Sequence, residues 1–418
     1  MNFFLELKNV ITIIFLISIL SYYALFFVRH RKPKPTKKFS SISIIIPAHN
    51  EEEYIERTID LILKAKFDGE KEIIVIDDGS KDRTFELASG FNSRVKVVKQ
   101  KHSGKSASIN RALKLTKGEL IAIIDGDSFI EENALQELAL EVSRDNTVAA
   151  TGIVKVYNRR KILCMWPHLE LLYNSLIRSL FTKINANVVT PGALSIYRRD
   201  ALEEIGGFST QGFSEDTDVT IRLIRKGYHI GFNDKAVSWT NMPYDVKGFL
   251  RQRTRFARGL IDILKRHLQI NNAIIDIYTL PLFLFSYFQS VIIGAFTIYQ
   301  LVSGYITYFS SKGIYFSLEV AKFFFDWFSI MGFVGWTFRV LSGAEPLSII
   351  TIIGIASTLL SYPLFVISII KYDKKFDLLH LIPLFFMFPF WFALMIIYTV
   401  CLPEYFRKKQ FNIWKKNE

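Results

Sequence analysis

Apolar positions fall into two regimes along this chain. In the first, charge vanishes over residues 10–28, 277–311 and 346–370, and over 378–403 apart from His380. At about 1.5 Å of rise per residue, each stretch is long enough to cross a hydrocarbon core of roughly 30 Å, and each predicts a membrane helix. Tyr22, Tyr23 and Phe27 stand where a cleaved leader would need small residues, so the first stretch reads as an anchor. A shorter apolar run, 323–338, is interrupted only by Asp326 and is expected to be a fifth span, with that acid facing the bundle interior or a cavity.

In the second regime, residues 40–240, short β-branched runs alternate with helical periodicity. Strands are expected at 41–46, 72–76, 95–98 and 120–124, and helices at 53–66, 81–88, 106–115 and 216–226. Such a series predicts an α/β sheet, parallel by default, with ligands beyond the carboxyl ends of its strands. The chain then divides into an anchor with a basic flank (1–39), an α/β domain (40–240), interfacial helices (241–275) and a membrane region (276–418).

Composition agrees with that division. Half of the residues are hydrophobic, 15% are aromatic and the mean hydropathy is +0.23, which excludes a disordered chain. The net charge of +13 would suit nucleic acid, but much of the excess lies beside the spans, in residues 29–38 and in the tail with Arg407, Lys408, Lys409, Lys415 and Lys416. Positive flanks face the cytoplasm. The expected placement is therefore a multi-pass protein of the cell membrane, its α/β domain cytoplasmic, with membrane lipids and no nucleic acid among its partners. With only Cys164 and Cys401, no disulfide framework or cysteine-based metal site is available.

The strand ends carry the chemistry. They read Pro47-Ala48-His49-Asn50-Glu51, Asp77-Asp78-Gly79-Ser80 and Asp125-Gly126-Asp127. Any one of them could be ordinary turn chemistry. Together they put acids on one sheet edge, and two carboxylates across a glycine can grip a hard divalent cation that leaves room for phosphate oxygens. Further on, Ser214-Glu215-Asp216-Thr217-Asp218 is richer in acid than a helix start needs, with Asp218 a rival to Asp216 as a base. Thr190-Pro191-Gly192-Ala193 precedes a strand, and Gln252, Arg255 and Phe256 share a helix face. His49, His102 and His168 show no metal-ligand spacing and are read as non-ligands.

These motifs, in this order and between these spans, resemble the processive family 2 glycosyltransferases, which include the synthases of poly-β-1,6-N-acetylglucosamine, hyaluronan and cellulose. The resemblance implies a GT-A (Rossmann-like) α/β fold fused to transmembrane helices, and inverting transfer from a UDP-sugar to a growing polysaccharide. It implies that Ala48, Glu51, Asp77 and Asp78 hold the nucleotide with Lys105 close by, and that Asp125 and Asp127 place Mg²⁺ or Mn²⁺ on the diphosphate. It also implies that Asp216 is the general base, and that Glu215, Pro191, Gly192, Gln252, Arg255 and Phe256 serve the diphosphate and acceptor. The family's usual Trp is Phe256 here, which keeps an apolar face and loses the indole donor. Transfer of one sugar to a lipid acceptor, polyprenyl phosphate or a glycolipid, is the alternative, and a non-catalytic export scaffold the alternative of another class. An accessory subunit is compatible with all three.

Overall fold

The structure is a computed structural model that describes residues 2–29, 33–269, 273–373 and 375–406. The basic residues 30–32 and the tail from 407 onward, on which the sidedness expectation partly rests, lie outside the described residues.

Eight strands form one sheet: β1 (Ser41–Ala48), β2 (Glu70–Asp77), β3 (Lys96–Lys99), β4 (Leu120–Ile123), β5 (Ser128–Ile130), β6 (Thr147–Val156), β7 (Ser195–Arg198) and β8 (His229–Thr240). Their spatial order is β3-β2-β1-β4-β7-β6-β8-β5. The first four are mutually parallel, as expected. The all-parallel default fails beyond them, because β7 runs antiparallel to both β4 and β6. The cause is local. The loop before β7 is held at the carboxyl end of β4, where Asp125 N donates to Gly192 O at 3.0 Å, so the next strand can only run back.

Side chains alternate between two cores across the sheet. Ile42, Ile44 and Ile46 pack with Ile55, Ile59 and Ile62 of the Ile55–Lys64 helix, whose i, i+4, i+7 spacing makes one apolar stripe. Ile45, Ile74, Ile76, Ile121 and Ile123 face the opposite core with Ile109 and Tyr197. Strands buried on both faces explain the unbroken isoleucine runs. Each such side chain contributes roughly 1.5–3 kcal/mol of burial.

Among the described residues, four helices are long and apolar enough to cross a membrane: Glu6–Phe27, Ile275–Lys312, Ile349–Tyr372 and Met387–Phe406. The expected fifth span is not among them. Its residues fall into two helices, Leu318–Phe328 and Ile330–Leu341, parted at Ser329, whose hydroxyl caps the second helix by accepting from Met331 N. At 11 and 12 residues they reach only about 16–18 Å each. A Cβ on Gly332 would come 2.1 Å from the carbonyl of Asp326, so the pair closes where only glycine fits. Asp326 is paired with Lys322 one turn earlier, at 2.6 Å. The last span begins later than expected, because the backbone breaks at Phe386 between Leu378–Phe385 and Met387–Phe406.

Domain and membrane helices share a core. The Met165–Thr182 helix packs Leu169, Leu172, Leu176 and Leu180 with Ile153 of β6, with Ile19 and Leu25 of the first span, and with Leu364, Phe365 and Ile369 of another. Lys183 Nζ donates to the carbonyls of Leu25 and Phe26, capping the end of the first helix. A buried ionic knot lies nearby. Asp373, just past the Ile349–Tyr372 span, accepts from Lys155 at 3.0 Å, Arg159 at 3.2 Å, and His168 and His380 at 2.9 Å each.

Candidate active site

The ends of β2, β1 and β4 are neighbours in the sheet, so the three strand-end motifs meet at one edge. Gly79 carries φ +74, and a Cβ there would lie 2.8 Å from His102 N. That glycine turns the chain after β2 and lets the 100–104 loop close on Asp78. The Asp78 carboxylate accepts from Ser103 N at 2.9 Å, Gly104 N at 2.8 Å and Gln100 Nε2 at 2.6 Å. Burial pushes its carboxyl up, but these bonds and His102 pull it net below the usual carboxylate range. Asp77 is fully buried, and its Oδ2 has no hydrogen-bond partner. Ala48 O accepts from Asp78 N at 2.8 Å, and Glu51 N donates to Thr84 Oγ1 at 2.7 Å. Glu51 also reaches the Asp125-Gly126-Asp127 turn, since a Cβ on Gly126 would lie 3.0 Å from Glu51 Cγ. Ala48, Glu51, Asp77 and Asp78 are thus brought together.

A second cluster forms around Lys105, the first residue of the Lys105–Leu113 helix. Its ammonium lies 2.6 Å from Asp125 Oδ1 and 3.3 Å from Glu215 Oε1. Burial alone would lower its pKa, yet Asp125 and Glu215 hold it above the ordinary lysine value. Gly192 sits beneath this pair, where a Cβ would be 2.2 Å from Lys105 Nζ and 2.8 Å from Asp125 Oδ2. Thr190 ties the Pro191-Gly192 loop to the Glu215–Arg225 helix: its hydroxyl is 2.7 Å from Thr220 Oγ1 and 3.3 Å from Asp216 O. Asp216 stands in the first turn of that helix, where Oδ1 accepts from Thr217 N at 2.8 Å. Burial, then the charge of Glu215, raise its carboxyl to about 6, against the opposing pull of Lys105. A carboxyl poised there is ionised at neutral pH and basic enough to take a proton.

Asp218 is corrected as a rival base. It is buried and bonded to Arg222 at 2.8 Å, Arg266 at 2.6 Å and His267 at 2.8 Å. Although burial pushes its carboxyl up, His267 and the two arginines leave it lowered, so it serves as an ionic strut.

That strut fixes the Val246–His267 helix. A Cβ on Gly259 would lie 2.2 Å from Ser214 Oγ, and one on Gly212 (φ +87) would lie 1.8 Å from Asp262 Oδ2. The helix therefore presses on the turn that carries Glu215 and Asp216. Gln252, Arg255 and Gly259 stand at i, i+3 and i+7, which puts Gln252 and Arg255 on the same face as that contact. Gln252 Oε1 and Arg255 Nε are buried without hydrogen-bond partners. Phe256 is 44% exposed, with the guanidiniums of Arg253 and Arg255 at 5.6 and 5.9 Å from its ring centre. Arg253 was not singled out by its spacing. It is buried and paired with Glu170 at 2.6 Å, and its Nε and Nη2 have no partner.

Chain spacing hides two convergences among the described residues. His49, Asp78 and His102 each place one ligand atom within 4.8 Å of the others, and so do His168, Asp373 and His380.

Asp125 is already paired with one cation, the Lys105 ammonium, and a carboxylate so placed would suit a hard divalent cation, with Asp127 two residues on across Gly126.

Comparisons with known proteins agree with the fold. Residues 43–206 match the family "Glycosyl transferase family 2". The "Probable glycosyltransferase YdaM" of Bacillus subtilis (strain 168) is 30% identical over 267 residues, 60% of this chain and 63% of its own length. The poly-beta-1,6-N-acetyl-D-glucosamine synthase of Staphylococcus aureus (strain COL) is 29% identical over 237 residues, 55% of this chain and 57% of its own. The chain thus spans less than two thirds of either relative. The structure of the mannosyltransferase PcManGT from Pyrobaculum calidifontis, in complex with GDP-Man and Mn²⁺, covers 88% of this chain and all of its own with a TM-score of 0.57 at 18% identity. That likeness is one of fold, a GT-A sheet with helices beside it. Residues 43–206 thus match glycosyl transferase family 2 within a sheet of GT-A fold, and among the described residues the chain has four helices long and apolar enough to cross a membrane.

Proposed function

We propose that this protein is a membrane-embedded inverting glycosyltransferase that moves a sugar, N-acetylglucosamine by its likeness to the staphylococcal synthase, from a UDP donor to a growing polysaccharide. The observation that carries this reading is Asp216, a carboxyl raised to about 6 beside the Lys105–Asp125–Glu215 cluster at the sheet edge. In the proposed step the acceptor hydroxyl attacks the anomeric carbon as Asp216 takes its proton. The bond from that carbon to the phosphate oxygen breaks, and its electron pair leaves with the diphosphate. Lys105 steadies the charge that develops there, with Gln252 and Arg255 approaching from the helix face that meets Ser214. Asp125 and Asp127 would hold Mg²⁺ or Mn²⁺, which when bound supplies further neutralisation of the diphosphate. Ala48, Glu51, Asp77 and Asp78 form the nucleotide end, with the domain on the cytoplasmic face beside Arg29, Lys34, Lys37 and Lys38.

A second reading, transfer of one sugar to a lipid-linked acceptor, draws on a feature that both readings can use. A cavity of about 1880 Å³ lies among the apolar helices, lined in part by Tyr22, Glu170, Tyr173, Tyr287, Trp391 and Tyr398. Glu170 is the partner of Arg253, so this space reaches the Val246–His267 helix. It would take either a sugar chain, stacked on its aromatic rings, or a lipid tail.

The deciding experiment measures nucleotide release by the detergent-purified full chain, across UDP-sugars and GDP-mannose, with Mg²⁺ or Mn²⁺ and with EDTA. Release from UDP-N-acetylglucosamine with long polymer, stopped by EDTA, is the expected result. Short or lipid-extractable product establishes the second reading, and tight nucleotide binding without release from any donor favours a scaffold. Gly192→Ala gives a sharper check. Its methyl would push the Lys105 ammonium off Asp125, and turnover of donor is expected to fall about 10- to 100-fold with the fold intact by circular dichroism.

A further inference from the structure

The 100–104 loop does more than close over Asp78. His49 Nδ1 lies 2.8 Å from the carbonyl of Asp78, and its Nε2 lies 3.3 Å from Asn50 Nδ2. The orientation of that amide is fixed, because Asn50 Oδ1 accepts from Lys81 N at 2.9 Å. Nδ2 therefore faces the ring as a donor, so His49 carries its proton on Nδ1 and its lone pair on Nε2. A histidine whose Nδ1–H is spent on a backbone carbonyl is oriented in the way metal-ligating histidines are, and a cation at Nε2 would take the place of the Asn50 amide. The His102 ring is seated from the other side, its Nδ1 2.9 Å from Asp78 Oδ2 and 3.1 Å from Asp78 O. The two ring centres are 4.4 Å apart with planes tilted by 33°. Gly79 holds the backbone at His102 close to the turn after β2, so this juxtaposition is built into the loop.

We propose that His49, His102 and Asp78 form a site for a borderline-soft divalent cation such as Zn²⁺, separate from the hard-cation pair Asp125 and Asp127, and that its occupation excludes the nucleotide base. Two imidazoles and a carboxylate are a zinc donor set with a fourth position left for solvent, whereas Mg²⁺ prefers an all-oxygen shell. A cation there would engage the Asp78 carboxylate, the group that the functional reading gives to the nucleotide. Metal binding itself does not depend on that reading, but exclusion of the base rests on it. A chain with this site would be slowed by free zinc while needing Mg²⁺ or Mn²⁺.

The test is equilibrium dialysis of the purified full chain against Zn²⁺ alone at pH 7.5, with Co²⁺ absorption in the visible range as an independent signature of a tetrahedral site. One Zn²⁺ per chain is expected, bound at least about tenfold more weakly by His49→Gln and by His102→Gln. The His102 side chain is 40% exposed, so its replacement leaves the fold in place. His380→Gln, in the other histidine-aspartate cluster, should bind as the parent does. Equal affinity in both strand-end variants, loss in His380→Gln alone, or no binding at millimolar Zn²⁺ would overturn the site. Uridine, which lacks the chelating diphosphate, then reports on exclusion by saturation-transfer NMR. Its binding should weaken at least about tenfold with Zn²⁺ in the parent and not in His49→Gln. Zinc binding that leaves uridine untouched would overturn the placement of the base at Asp78 and leave the metal site standing.

Discussion

Asp216→Asn is expected to lower kcat about 10³-fold while the KM for the donor changes little, because a general base acts on the acceptor's proton and not on the nucleotide. The parent enzyme's rate should fall on the acid side through about pH 6, where the Asp216 carboxyl takes up its proton, and not near the ordinary aspartate value. Stability should move the other way. An acid whose folded pKa is raised disfavours its own ionised form, so the cost to the fold is present above about pH 6 and fades as pH falls below it. Removing that charge should therefore raise the melting temperature at pH 7.5 even as turnover collapses. A variant that melts lower, or keeps a rate within tenfold of the parent, would show that Asp216 supports the structure and does not do the chemistry.

Asp373→Ala is expected to have the largest effect on stability. The carboxylate is the common acceptor of Lys155, Arg159, His168 and His380, so its loss leaves buried cationic groups facing each other. Breaking a buried ion pair from one side costs about 3–5 kcal/mol, and here several donors share one acceptor. Asp373→Asn keeps an acceptor oxygen and should lose less. The pH dependence has a definite sign. Burial raises the Asp373 carboxyl, but His168 and His380 hold it net far below the usual range, so its contribution persists throughout pH 5–8. His168 is lowered by burial, against the pull of Asp373. A histidine that resists protonation in the fold stabilises above its unfolded value of about 6.5, and that contribution is lost as pH falls through it. Thermal melts of the detergent-solubilised protein from pH 5 to 8 check both statements. A parent melting temperature that is flat across that range would remove His168 from the account.

Much of the site edge was legible because its signals are local. Isoleucine runs buried on both faces mark β1 and β2, and the acids that follow them mark the strand ends. Asp125, Glu215, Asp216 and Lys105 were each identifiable from their immediate neighbours, and the structure gathers them. The spacing does not show which acids are poised and which are struts. Asp216 and Asp218 stand two residues apart; Arg222 lies within reach of Asp218 on the same helix, but the Arg266 and His267 bonds that complete its role as a strut come from almost fifty residues downstream. The histidine clusters escaped for the same reason, since His168 and Asp373 are separated by 205 positions. Hydropathy failed in a different way at residues 323–338. It averages over a window, whereas the break at Ser329 depends on one hydroxyl capping the following turn and one glycine closing on a carbonyl.

The shared core around the Met165–Thr182 helix bears on how the chain is made. Leu169, Leu172 and Leu176 are covered partly by Leu364, Phe365 and Ile369, which leave the ribosome only after the whole middle of the chain. Until then the first half carries a bare apolar flank beside its own first long apolar helix. Completion is consequently a late event, in which the arriving Ile349–Tyr372 helix supplies both the missing apolar surface and, one residue beyond, the counter-ion of Lys155 and Arg159. A nascent chain stalled before this point would be a client for holding chaperones, and a premature stop would yield an aggregating fragment and not a smaller enzyme.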